Sequence, residues 1–112
     1  MRKLLAVFLV ALVTAGVAAT ALAARRTVRV GDNWFVRPSG VPTVTVHRGD
    51  MVVWRFTGRR RHNVTVRRGP VRFHSPTKRS GTYRNRLAQR GTYSIICTIH
   101  GARDQQMRLV VR

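Results

Sequence analysis

The residues best suited to chemistry lie between Gly91 and Val111. Cys97 is the chain's only cysteine, and His100 follows it by three residues. Two weaker donors, Gln105 and Met107, come next. An apolar run from Thr92 to Ile96 is expected to deliver the thiol to a tight turn. There, thiolate and imidazole can reach one ion from opposite sides. Far upstream, His62-Asn63-Val64 offers a second imidazole at the start of another strand-like run. Two imidazoles and a thiolate in a plane, with a weak axial donor, make a donor set for copper that passes single electrons.

The same residues have plainer readings. A lone cysteine is often an inert buried thiol, and His62, in a basic loop, is by itself a surface histidine. His47 and His74 are expected at the surface, and Trp34 and Trp54 in the core. Nucleophilic catalysis by Cys97 with His100 lacks an acid–base partner, because Asp104 is the only nearby acid and lies in a charged loop.

The N-terminus bears on the cysteine. Met1-Arg2-Lys3 is basic, Leu4 to about Val17 is apolar, and Ala21-Leu22-Ala23 is a small-residue cleavage pattern. Residues 1–23 are expected to form a signal peptide cut after Ala23, leaving residues 24–112 as one exported domain. The alternative is an uncleaved membrane anchor, since Leu4 to Ala24 carries no charge over about a bilayer's thickness. Arg25-Arg26 on the far side does not favour it. An exported chain with one cysteine has no internal disulfide, so Cys97 is a spectator, an intermolecular bridge or a ligand. Core packing, and a metal if one binds, must then stabilise the small domain.

Charge points to the partners. Without Arg2 and Lys3 the chain has 20 basic residues against three acids, a formal charge of +17. Such a field favours an acidic redox protein or anionic envelope polymers. Nucleic acid is the usual inference from a basic chain, but an exported protein rarely meets it. Many arginines fall at alternating strand positions, which also fits a solvated face.

Strand signals dominate the remainder, and no helix is expected. Thr27 to Val30, Trp34 to Val36, Val41 to Val46, Met51 to Phe56, His62 to Val66, Gly81 to Leu87 and Thr92 to Ile96 alternate or are short apolar runs. Met107 to Val111 closes the set, and Phe73 to Ser80, which holds Pro76, reads as irregular. Gly-Asp, Pro-Ser-Gly and Gly-Pro pairs punctuate these runs. The short strands without a helical crossover indicate an antiparallel sandwich or barrel, and the fold class is read as all-β, a single sandwich of about eight strands.

At this point the chain resembles a known family, the cupredoxins, and most closely their plastocyanin-like branch. Gly91-Thr92-Tyr93-x-x-x-Cys97-x-x-His100 resembles the family's last strand and ligand loop. Gly49-Asp50-Met51-Val52-Val53-Trp54 followed by His62-Asn63-Val64 resembles its other ligand segment. The resemblance covers about Gly31 to Val111. It implies an eight-stranded Greek-key sandwich acting as a monomeric one-electron carrier and not as an enzyme. It makes His62, Cys97 and His100 the equatorial ligands of one copper ion, Asn63 a tie between the first ligand strand and the Cys97 loop, and Tyr93 a packed corner tyrosine. The axial position departs from the family's usual methionine. Without gaps Gln105 occupies it, Met107 shares its strand parity, and a site with no close axial ligand is the third option. Two other functions stay open: copper delivery without a redox circuit, and a metal-free basic sandwich that binds anionic polymers.

Overall fold

A computed structural model of the chain describes residues 23–112; the expected signal peptide lies almost wholly outside the described residues. Eight strands are present: β1 (Arg25–Gly31), β2 (Trp34–Phe35), β3 (Thr43–Val46), β4 (Met51–Phe56), β5 (Thr65–Arg68), β6 (Gly81–Arg86), β7 (Gly91–Ile96) and β8 (Gln106–Val111). One helical turn, α1 (Gly101–Asp104), lies between β7 and β8. The strands form two four-stranded sheets, ordered β2-β1-β4-β6 and β3-β8-β7-β5. The architecture is the all-β sandwich expected from the alternating pattern.

Side-chain alternation explains how the sheets meet. Val52, Trp54 and Phe56 of β4 face inward, as do Tyr93 and Ile95 of β7 and Met107, Leu109 and Val111 of β8. Branched and aromatic side chains suit this half-buried pleated surface, and the two inner faces make one core. Trp54 is fully buried and donates its indole N–H to Asn85 Oδ1 at 2.8 Å, so the large ring brings no unpaired polar atom inside. Tyr93, also buried, donates its hydroxyl to the Gln89 carbonyl at 2.9 Å.

Several local expectations are revised. β1 pairs with β4, and β3 with β8, in parallel, so the sheets are mixed. The turn α1 was not expected; four residues are too few for a helical apolar period to show. His62 makes only an isolated bridge to Lys78, and regular pairing of β5 begins at Thr65. The Phe73–Ser80 segment is more ordered than its composition suggests. Its backbone bridges Thr65 at His74, and buried Ser75 accepts the Val64 N–H at 2.8 Å. Trp34 is half-buried with the Arg29 guanidinium over its ring, so it is not a core residue. His47 and His74 are exposed.

Asp50 ties the start of β1 to the turn before β4. Its carboxylate accepts the backbone N–H of His47 at 2.8 Å and that of Ala24 at 2.9 Å. These bonds hold its pKa below the ordinary carboxylate value, the His47 N–H contributing most. Folding thus favours the ionised form. Its contribution is complete above the unfolded carboxylate pKa of about 3.9 and is lost as pH falls through the lower folded value. Denaturant unfolding should therefore show Asp50→Asn less stable than wild type by a constant amount from pH 7 to about 5, with the gap closing in more acidic solution. A gap independent of pH would contradict this.

Candidate metal centre

The donors gather at one end of the sandwich. Cys97 lies just beyond β7, its parity continuing that of Tyr93 and Ile95, so the thiol enters the same interior and is fully buried. The chain then turns sharply. The Gly101 N–H donates to the Cys97 carbonyl at 2.8 Å, and the Gln105 N–H to the Gly101 carbonyl at 3.0 Å. Gly101 has φ +75°, a left-handed conformation that a side chain disfavours. The turn brings His100 Nδ1 within 3.5 Å of Cys97 Sγ.

His62 lies just before β5, the edge strand that pairs with β7, and is held by backbone bonds with Lys78 in both directions. It is completely buried. Its ring centroid lies 4.9 Å from that of His100, and the donor atoms of His62, Cys97 and His100 all lie within 4.8 Å of one another. Asn63 locks this segment to the Cys97 loop. Its Oδ1 accepts the Thr98 N–H at 3.0 Å, and its Nδ2 donates to Thr98 Oγ1 at 2.7 Å.

Gln105 completes the group. It is fully buried, and its Nε2 donates to the carbonyls of Gly31 and Trp34, each at 3.0 Å. Carbonyl oxygens only accept, so those bonds fix which end of the amide is which. Oε1 must then face His62 Nδ1, 3.0 Å away. An amide oxygen does not donate, so the gap needs a proton on Nδ1 or a cation drawn to both atoms. Together with a thiol and a second imidazole, this arrangement fits a thiophilic ion. Met107, by contrast, lies within β8 opposite Ile95, fully buried in the core.

One further residue escaped the sequence reading. Asp32, in the turn between β1 and β2, has Oδ1 2.8 Å from His62 Nε2. Its oxygens also accept the backbone N–H of Arg59, at 3.1 and 3.0 Å, and that of Arg60, at 3.0 Å. The Arg59 N–H is the main cause, and the His62 bond the next, of a pKa far below the usual carboxylate range. In the sequence, Gly31-Asp32-Asn33 carries only a turn signal, and nothing there points across 30 residues to His62.

Solved structures supply the comparison. The chain superposes on an oxidized Pro→Gly variant of amicyanin with a TM-score of 0.61 and 27% identity, covering 85% of this chain and 88% of that one. A Met→Gln variant of amicyanin in its Cu(I) form gives a TM-score of 0.64 and 24% identity, over 79% and 82%. The fold is the cupredoxin fold. The His62–Cys97–His100 group of this cupredoxin-fold chain matches a type 1 copper site. The copper-containing nitrite reductase of Thermus scotoductus SA-01 also superposes, with a TM-score of 0.63 and 22% identity over 79% of this chain. The cupredoxin-fold chain spans only 22% of that reductase's length. No protein-family model matches the sequence, and no curated protein matches it.

Proposed function

We propose that the chain is an exported type 1 blue copper protein that carries single electrons between redox partners of the cell envelope. The observation that carries this reading is the convergence of His62, Cys97 and His100 donor atoms within 4.8 Å. Copper, when bound there, supplies a one-electron couple between Cu(I) and Cu(II). The chain's part is to present one soft thiolate and two imidazoles in a fixed arrangement. Asn63, Thr98 and the turn at Gly101 restrain the loop, which limits rearrangement when the charge changes.

Gln105 is our candidate for the weak axial donor, because its oxygen faces the site and its amide cannot turn around. Met107 serves as a core residue in this reading. His100 is half-buried and follows Ile99, whose side chain is 54% exposed. In this reading a partner docks at this edge. Arg25, Arg29, Arg55, Arg84 and Arg86 occupy outward positions of β1, β4 and β6 and are exposed, which favours an acidic partner. Export rests on the basic, apolar and Ala-x-Ala pattern of residues 1–23. Among the described residues no helix is long and apolar enough to cross a membrane.

Purified protein loaded with Cu(II) should turn intensely blue, bind one copper per chain and give the narrow copper splitting of a thiolate-bound centre in electron paramagnetic resonance. A colourless product that retains no copper after desalting would overturn the proposal.

A further inference from the structure

We propose that Asp32 is a positioning and tuning residue for the metal centre, holding the His62 ring with Nδ1 turned inward and adding a negative charge that lowers the reduction potential. This inference rests on the copper reading above and deepens it. A carboxylate only accepts hydrogen bonds, so the 2.8 Å contact requires the proton on His62 Nε2. That leaves Nδ1, on the Gln105 side, as the nitrogen available to a metal. Carboxylate partners of metal-binding histidines commonly fix tautomer and ring orientation and increase ligand basicity.

Three features hold the carboxylate in place. The Arg59 N–H donates to both of its oxygens, and the Arg60 N–H to Oδ1, the oxygen that also contacts His62. Gly58 leaves the space it fills: a Cβ there would collide with Asp32 Oδ1 and Cγ. The carbonyls of Gly31 and Trp34, flanking Asp32 in the same turn, hold the Gln105 amide. One turn thus orients two of the four groups around the centre, although they are far from it in sequence.

The sign of the electrical effect follows from charge. Cu(II) carries one more positive charge than Cu(I), so a carboxylate one imidazole away stabilises Cu(II) more. The Arg59, Arg60 and Arg61 side chains are exposed and act in the opposite direction, but solvent and salt screen them. The Asp32 side chain is 38% exposed, which weakens its field, while its bond reaches a fully buried ring.

The first experiment uses wild-type, metal-free protein. Nitrogen-15 NMR of the imidazoles should show His62 Nε2 carrying a slowly exchanging proton; an unprotonated Nε2 would overturn the positioning role without any variant. The second compares copper-loaded wild type, Asp32→Asn and Asp32→Ala. Loss of the charge should weaken Cu(II) binding about tenfold relative to Cu(I), within the range for outer-shell partners. That ratio raises the midpoint potential by about 59 mV for one electron. Asp50→Asn, at the opposite end of β1 and β4, should leave the potential unchanged. Blue variants of Asp32 with the wild-type potential would overturn the tuning alone. A colourless wild type would overturn the copper reading and the tuning together, so the two failures are distinguishable.

Discussion

Cys97→Ser should remove the blue colour completely while leaving the protein folded. In the proposed centre the thiolate would be the source of the intense visible band, and a serine hydroxyl at neutral pH supplies neither that band nor a soft anionic ligand. Copper affinity should fall by more than the about 10–100-fold that follows loss of an outer-shell partner, because a direct ligand is removed. The fold should tolerate the change. Serine is close in size to cysteine, and burying its hydroxyl without a good partner costs about 1–3 kcal/mol. Absorption and metal-binding titration of the variant, with circular dichroism as the folding control, check this. A variant that stays blue would exclude Cys97 as a ligand.

The second large effect is expected at Gln105, and it separates the two axial candidates. An amide oxygen donates more strongly than a thioether and favours Cu(II), so Gln105→Met should raise the potential. A tenfold loss of Cu(II) preference corresponds to about 59 mV. The substitution also removes the two hydrogen bonds to Gly31 and Trp34, each worth about 0.5–1.5 kcal/mol net, so the metal-free protein should melt earlier. Met107→Leu should do neither, since it exchanges core side chains of similar volume at a cost below about 1.5 kcal/mol. Protein-film voltammetry of both variants provides the check. A large shift for Met107→Leu with none for Gln105→Met would reverse the assignment.

In the proposed copper centre Gln105 and Asp32 would both favour the more highly charged ion, and the surrounding arginines the less charged one. The two former groups are close and partly or fully shielded, and the arginine side chains are exposed. Raising the salt concentration should therefore weaken the arginine contribution first.

The strand pattern was legible in the sequence because period-two alternation is local: Val52, Trp54 and Phe56 announce an inward face wherever β4 is placed. Cys97 and His100 were legible for a related reason. They lie in one turn, so spacing alone brings their side chains together. His62 was reachable through its motif and its place at a strand's start. The parallel pairing of β1 with β4, and of β3 with β8, was not, because strand direction depends on how distant segments pack. Nor was the role of Asp32, whose bond to His62 spans 30 residues, or the orientation of Gln105, whose amide is held by carbonyls 71 and 74 residues away. Sequence by itself determined which residues could bind a metal and which faces were apolar, since these follow from side-chain chemistry and local periodicity. Only the tertiary structure decided which oxygen faces His62 and which carboxylate holds it, because hydrogen bonds between distant segments exist only once the chain has closed on itself.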